Sequence, residues 1–478
     1  MINGKHFKAL FFSLCTSLML SACSVQTKKL DVTPDIDNSF HQQGSLTTSA
    51  KWWLNFNDAQ LEQLVDIGLK NNLSLTATLA KVNSAKASLG ISEANLYPDL
   101  NLTASAGSDI EKLDAIDASS VGVVSTWELD LWGRISSLVE KDKWNLVAKQ
   151  AAYKAQANTV AGNVTIAWFG WLAEHDKKRM YSDQYKRTNT ALKVINRRFA
   201  MGKNSITDVW QQKRLLETIV ADQAVNHARI AIFEKQLALW LGIRVSKLPA
   251  LTNASLPFIP QLPEMGLPLT TLQYRPDIQQ SFANLQASNA SLAAAATERF
   301  PRLSLRANYS SSQNNTRDLF DDWSGNLIAS LAMPIFDAGS TEAKIKQNEY
   351  NLDAAFADYK QTWLAAIFSV EKSLITEQQL VIVANNIDIQ MSLAKKTERV
   401  VSMQYVNGKS SYLTLLKAQE TSLKLERQVV DAQRALINNR VELYRELSHG
   451  DFSEPAEEQA SKNNDNLFPA ISIIDDNS

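Results

Sequence analysis

The clearest candidate for covalent chemistry is Cys23, which ends the sequence Leu20-Ser21-Ala22-Cys23 after a basic start and the apolar run 9–20. That run is too short to cross a bilayer, which takes roughly twenty residues, but it is typical of a signal-peptide core. The residues before Cys23 resemble a bacterial lipobox, in which the thiol receives a diacylglyceryl group before cleavage. We therefore expect a signal peptide over 1–22 and a lipid on Cys23. The alternative is an ordinary secretory signal with an incidental cysteine.

The residue after the cysteine indicates where such a lipid would hold the chain. Ser24 stands where lipoproteins kept in the inner membrane usually carry aspartate, so we expect an anchor in the outer membrane. Cys15, the other of the two cysteines, lies inside the signal. The mature chain can therefore form no internal disulfide, although its compartment is oxidising.

The remaining reactive residues do not form the pattern of an enzyme. No serine lies in a nucleophile elbow, and no glycine-rich loop could cradle a phosphate. The histidines are scattered along the chain: His6, His41, His175, His227 and His449. We predict no catalytic residue, no metal site and no cofactor, and we expect the helical histidines to lie at the surface or in packing. A net charge of −1 gives no indication of nucleic-acid binding.

The chain contains an internal duplication. Gly202 lies in the segment 198–208, and Gly408 lies in the similar segment 404–414, 206 residues later. Two further pairs recur in the same order: 96–102 with 299–305, and 131–134 with 337–340. Because three landmarks keep their order, we interpret the chain as one unit written twice.

The repeats define a domain plan for the whole chain. Five of the twelve prolines fall between 249 and 268, which predicts an extended connector. The plan is a signal peptide 1–22, a lipidated tether 23–50, a first repeat 51–248, a proline-rich connector 249–270, a second repeat 271–448 and an acidic, disordered tail 449–478.

Each repeat is predicted to contain two membrane-length strands. Apolar and polar residues alternate over about 98–108 and 119–132, and again over about 301–311 and 325–337. Strands of about ten residues match a tilted membrane strand. A soluble sheet of two hairpins would show the same alternation, so the period alone leaves both possibilities open.

Each repeat also contains an unusually long proline-free segment. We predict helices over 135–201 and 341–407, each about 100 Å long at 1.5 Å per residue, with hairpin turns near 202 and 408. Beyond the second turn, apolar residues recur every seven positions, which predicts helices packed lengthwise. Before that turn the seam is interrupted at Glu377 and Asp388.

The number of strands implies partner chains. Four strands cannot close a barrel, for which about eight are needed, and an open sheet edge in lipid is prohibitive. Three copies would supply twelve strands, although strand counting alone also permits a dimer.

Several ordered motifs carry a family resemblance. They lie in the segments 52–58, 127–134, 274–301 and 412–419. With them the chain resembles the TolC-type outer-membrane efflux factor family, in its lipoprotein (NodT-like) branch serving resistance-nodulation-division pumps, over about residues 50–448. The resemblance implies a mainly α fold with a membrane β-barrel. An internally duplicated trimer would form twelve strands, continued by a long α-helical periplasmic barrel, with the connector in an equatorial collar.

The resemblance also implies a function and partners. The trimer would be the passive exit duct of a tripartite efflux system for small molecules or drugs, reached through a periplasmic adaptor protein and an inner-membrane pump. The adaptor would contact the hairpin tips, which correspond to Met201, Gly202, Lys203, Asn407, Gly408 and Lys409. The flanking residues depart from the family's Val-Gly-small motif.

A periplasmic gate is implied at Leu413, Thr414 and Lys417, and a closing contact between hairpins is implied at Asp208 and Tyr405. Lys417 stands where pump-serving relatives commonly carry an aspartate ring, so three copies would make a positive ring. The competing interpretation turns Lys417 sideways to pair with Glu420.

Two other functions remain open at this stage. One is a duct for type I protein secretion, which the lipobox and Arg275-Pro276-Asp277 disfavour. The other is a coiled-coil scaffold lipoprotein without a pore, which would need no amphipathic strands.

Overall fold

The structure is a computed structural model that describes residues 40, 51–107, 118–252, 255–263, 271–313, 318–448 and 452. The predicted signal peptide, Cys23, nearly all of the tether and of the tail, and part of the connector lie outside these residues. The chain divides into two compact units. The sheet unit includes Ala80–Ala151 and Gln279–Thr362, and the helical unit includes Asp35–Leu79, Ala152–Ile278 and Trp363–Ser478. No helix among the described residues is both long and apolar enough to cross a membrane.

Four strands form one antiparallel sheet in the order β1-β2-β3-β4. Their bounds are β1 Asn101–Gly107, β2 Ala118–Leu129, β3 Arg302–Gln313 and β4 Ser324–Ala332. Each repeat therefore contributes one hairpin, and β2 pairs with β3 from Ser119↔Gln313 to Leu129↔Leu303 to join them. Among the described residues, β1 and β4 are each paired along one edge alone.

One face of the sheet is apolar because the strand register aligns the alternating residues. Leu102 lies opposite Val123, and Val123 lies opposite Tyr309. On the same face Leu303 lies opposite Leu331. The part of the chain that the structure describes leaves these side chains uncovered: Leu102 is 77% exposed and Leu331 is 69% exposed. An uncovered apolar face of this size needs an apolar environment or a partner.

Two strands end earlier than the sequence predicts, for local reasons. β2 stops at Leu129 instead of 132 because the Asp130 carboxylate accepts the backbone N–H groups of Ile135 and Ser136, and this turns the chain into a helix. β4 stops at Ala332 instead of 337, since Pro334 follows and lacks a backbone donor for the ladder.

The two long helices correspond in the two repeats. Helix α3 spans Arg134–Ala200 and helix α6 spans Ser340–Val406, and each has 67 residues. Both begin one residue after a glycine with positive φ, Gly133 at 76° and Gly339 at 85°. The predicted bounds were one residue late, because they excluded the first helical residue and included the C-cap.

The other helices are α1 Ala59–Asn71, α2 Leu73–Ala94, α4 Ile206–Trp240, α5 Pro276–Ala296 and α7 Tyr412–Leu447. In the helical unit the core gathers Trp52, Trp53 and Phe56 with residues of α1, α3, α4 and α7. Asp58 begins α1 by accepting the N–H groups of Gln60 and Leu61, and its second oxygen accepts the indole N–H of Trp168. The Trp52-to-Asp58 motif is therefore a packing anchor.

Candidate functional site at the hairpin turns

The two hairpin turns have the same geometry in both repeats. At the end of α3, Gly202 N–H donates to Phe199 O at 2.8 Å and Lys203 N–H donates to Arg198 O at 2.8 Å. This is a Schellman motif, which requires a left-handed residue, and Gly202 has φ 69°. At the end of α6, Gly408 has φ 73° and the equivalent bonds run to Tyr405 and Gln404.

The helix after each turn starts with a serine cap. Ser205 Oγ accepts the N–H of Asp208, and the Asp208 carboxylate accepts the N–H of Ser205, which completes a capping box. In the second repeat Ser411 Oγ accepts the N–H of Thr414. Of the predicted tip residues, Met201 is 61% exposed, and Lys203, Asn407 and Lys409 are exposed as well.

Asn204 mediates the predicted contact between Asp208 and Tyr405 within one chain. The Tyr405 hydroxyl donates to Asn204 Oδ1 at 2.9 Å, and Asn204 Nδ2 donates to Asp208 Oδ2 at 2.9 Å. Arg198 Nε also donates to Asn204 Oδ1, and its guanidinium lies 4.8 Å from the centre of the Tyr405 ring. Asn204 thus ties the first hairpin, α3–α4, to the second, α6–α7. Sequence reasoning missed this residue.

A second hydrogen-bonded contact between the two hairpins lies one helical turn further from the tip. The Tyr412 hydroxyl donates to Gln212 Oε1, and Gln212 Nε2 donates to Thr188 O at 2.9 Å. This connects α7 with α4 and α3. Burial raises the pKa of Tyr412 above its ordinary value, so it remains a neutral donor.

The predicted gate residues lie on the exposed face of α7. Leu413 is 46% exposed, and Thr414 and Lys417 are also exposed. Leu413 and Lys417 are four residues apart, so they share one face of the helix. Within the described part of the chain Lys417 makes no ion pair, and the Glu420 carboxylate is paired with Arg214 at 2.6 Å. The pair between Lys417 and Glu420 that we considered from sequence is therefore not formed.

A buried ion pair binds the proline-rich connector to the long helices. The sequence showed only one of its residues, Glu377, as an interruption of the apolar seam. Glu377 and Arg440 are 3% and 4% exposed at their side chains and form an ion pair. Arg440 also donates to the carbonyl of Pro260 in the proline-rich connector. Asn439 donates to the second Glu377 oxygen at 2.9 Å. The interruption at Glu377 is therefore an anchor between α6, α7 and the connector.

A second charged cluster surrounds Glu174, which is fully buried. It accepts hydrogen bonds from Lys177 at 3.1 Å and Asn226 at 2.8 Å. A surface cavity of about 460 Å³ lies beside it, lined by Arg229, Ile232, Phe233, Asp431 and Arg434. The Glu174 carboxylate is thus hydrogen-bonded on both oxygens by residues of α3 and α4, and the cluster packs the helical unit.

Each repeat contributes one long helical hairpin and one hairpin of strands, and the four strands form a sheet with an exposed apolar face. These features are typical of an outer-membrane channel. The family described as outer membrane efflux protein matches this chain over residues 64–242 and 267–449. The chain belongs to this family, which confirms the family and the fold class expected from sequence.

Individual relatives agree with this assignment. The chain is 30% identical over 418 residues to the solvent efflux pump outer membrane protein SrpC of Pseudomonas putida, covering 83% of this chain and 86% of that one. It is 26% identical to the cation efflux system protein CusC of Escherichia coli, covering 91% and 97%. A crystal structure of a membrane protein from Pseudomonas aeruginosa superposes with a TM-score of 0.80 at 26% identity, covering 89% and 100%. The chain is thus an outer-membrane efflux channel.

Proposed function

We propose that three copies of this chain form the passive exit duct of a tripartite efflux pump, with no catalytic step of its own. The observation that carries the proposal is the four-stranded sheet, whose outer strands β1 and β4 each have one unpaired edge in the described chain. Unpaired strand edges recruit further strands. Three such sheets would close twelve strands into a barrel, and its apolar outer face would meet lipid.

The C-terminal part of α6, from residue 364 to residue 400, supports the assembly of several chains independently of the sheet. Its exposed apolar residues recur at seven- and four-residue steps: Leu364, Phe368, Ile375, Ile382, Ile389, Leu393 and Val400, all between 47% and 67% exposed. Such a seam packs against another helix in coiled-coil geometry. The described residues of one chain leave this seam about half exposed.

A second exposed apolar seam, on α4, supports a neighbour for α6 in the assembly. Val225, Ile232 and Leu239 are also spaced by seven residues and are 52%, 51% and 71% exposed. If α6 of one chain packs on α4 of the next, each chain uses both seams, and the assembly is a ring where the rotation between neighbours closes. This supports a closed assembly, and the number of chains in it, three or two, is what the mass measurement below decides.

The proposal includes a lipid anchor and two protein partners. Cys23 would carry the lipid in the outer membrane. The turns at Met201, Gly202 and Lys203 and at Asn407, Gly408 and Lys409 would meet a periplasmic adaptor, which connects them to an inner-membrane pump of the resistance-nodulation-division type. One relative is named for solvents and another for cations, so the family alone does not define the exported substrate.

The competing functions fit less well. The relatives described above are named for efflux pumps, which favours a pump over type I protein secretion. A scaffold without a pore would not need the apolar sheet face around Leu102 and Leu331.

Two measurements on the purified full chain test the proposal. Mass photometry in nanodiscs, corrected for lipid, should give three chains, and planar bilayers should show a conductance. The double variant Ile375→Glu/Ile382→Glu should dissociate the assembly, whereas Gln63→Glu/Lys70→Glu, on the exposed face of α1, should leave it intact. A stable monomer with full strand content, or a trimer that never conducts, would contradict the proposal.

A further inference from the structure

The hairpin turns concentrate positive charge in a chain that is otherwise acidic. Within fifteen residues of Gly202 and Gly408, that is over 187–217 and 393–423, there are twelve lysines and arginines against four acidic residues. The net charge of the whole chain is −1, so these two windows carry +8 and the remainder carries −9. The charge is therefore segregated.

Ion pairing within the chain neutralises little of this charge. Arg214 pairs with Glu420, and Arg187 pairs with Glu426. The Asp208 carboxylate is engaged in the capping box and with Asn204. The following exposed cations form no ion pair with any described residue: Lys193, Arg197, Lys203, Lys213, Lys396, Arg399, Lys409 and Lys417.

Two of these cations occupy equivalent positions at the ends of the two turns. Arg197 lies in the last turn of α3, where the negative end of the helix dipole accounts for a positive side chain. Lys203 and Lys409 each lie between two helix ends: the N–H of each caps the end of α3 or α6, and each precedes by two residues the N-cap of the next helix, Ser205 or Ser411. The two helix dipoles oppose each other at this place, so they give these lysines no net preference. Both side chains are exposed and form no ion pair with a described residue.

We propose that Lys203 and Lys409 recognise carboxylates at the tip of a partner's helical hairpin, so that the periplasmic partner of this duct presents glutamate or aspartate there. This inference rests on the proposed function. Three chains would present six such ammonium groups around one axis. Opposite charges across an interface accelerate encounter and exclude partners with like charge. The exposed Met201 beside Lys203 supplies apolar contact once the tips meet.

The test uses the full-length channel in nanodiscs and two synthetic probes. Both probes are disulfide-closed helical hairpins of one sequence, whose turn carries either three glutamates or three glutamines. Association is followed by biolayer interferometry at low and high salt. The glutamate hairpin should associate about tenfold faster than the glutamine hairpin at ~50 mM salt, and the ratio should approach one at ~500 mM as screening shortens.

Two double variants, each lacking two lysines, test whether the preference for the glutamate hairpin comes from the tips. Lys203→Gln/Lys409→Gln should abolish the preference for glutamate, whereas Lys235→Gln/Lys247→Gln, which removes the same charge from the other end of the first hairpin, should keep it. An equal preference in both double variants would overturn the proposal. Unfolded polyglutamate that associates as fast as the glutamate hairpin would also overturn it, since the surface would then attract any polyanion. Conductance of the same preparation is the separate measure of the duct itself.

Discussion

The hydroxyl of Tyr405 donates a hydrogen bond to Oδ1 of Asn204 at 2.9 Å, between the second and first hairpins of one chain. Asn204 sits in the loop between Lys203 and the Ser205 cap, and it also receives Arg198 and donates to Asp208. The Asn204 amide thus connects three side chains at the turn. The contact expected between Asp208 and Tyr405 is indirect within the chain, which makes Asn204 a latch residue in its own right.

Asn204→Ala should loosen this latch. Three hydrogen bonds to the side chain disappear together, each worth about 1 kcal/mol net, so the two hairpins separate more readily at their tips. We expect a larger single-channel conductance in planar bilayers. The control Asn196→Ala changes an exposed asparagine of α3 and should leave conductance unchanged. Unaltered conductance in Asn204→Ala would show that the latch does not limit the resting aperture.

Gly202→Ala should destabilise the first turn through backbone conformation alone. Nothing lies within 4 Å of an added Cβ, but φ is 69°. A left-handed conformation costs an alanine about 1 kcal/mol. Thermal unfolding should therefore begin at a lower temperature. Gly90→Ala is the matched control, since Gly90 lies inside α2 with equally open space, and there alanine should be neutral or stabilising. Equal shifts in the two variants would contradict the conformational explanation.

Much of the architecture was predictable because it depends on local spacing. The turns follow from two glycines 206 residues apart, and the 67-residue helices follow from segments without proline. The alternation of Leu303, Leu305 and Ala307 gave the face of β3, because register and pleat are linked. Strand ends were less predictable, since the cap at Asp130 competes with the ladder for the same residues.

Contacts between distant segments could not be predicted in the same way. Asn204 looks like an ordinary loop residue, and its partner Tyr405 is 201 positions away. Glu377 was visible as a break in an apolar seam, but nothing in its neighbourhood points to Arg440 or to the carbonyl of Pro260. A periodic pattern shows which face is buried. It does not show which polar group of another helix pairs with a polar residue on that face.

Glu377→Gln should destabilise the helical unit strongly. The substitution leaves the buried Arg440 without its counter-charge, and breaking a buried pair on one side typically costs about 3–5 kcal/mol. Chemical denaturation in detergent should show the loss. Glu217→Gln removes an exposed carboxylate of α4 and should change the free energy of unfolding by less than about 0.5 kcal/mol. A loss in Glu377→Gln no greater than in this control would mean that the pair contributes nothing to stability.

His175 should make the stability of the helical unit depend on pH. Burial lowers the pKa of His175 below its ordinary value of 6.5, and Lys178 lowers it further; its ring lies 3.9 Å from that of Trp171. The unfolded chain therefore binds the proton first, and the free energy of unfolding decreases as pH falls below about 6.5. Thermal unfolding between pH 7.5 and 5.5 should show a smaller decrease in His175→Asn than in His227→Asn, whose histidine is exposed. Identical pH profiles would exclude His175 as the source.

Lys417 should set the ion preference of the gate if three copies face the lumen. Its side chain is exposed on the same face as Leu413, and Glu420, three residues further along α7, is paired with Arg214. Three like charges several ångströms apart repel at about 1–3 kcal/mol per pair with an effective dielectric of about 20, which favours a wider aperture or a bound anion. In planar bilayers at low salt, wild type should be less cation-selective than Lys417→Asp, and the difference should shrink at high salt because screening weakens the ring. Lys235→Asp, the control on α4, should behave as wild type. Equal reversal potentials for wild type and Lys417→Asp at low salt would place the lysine outside the pore.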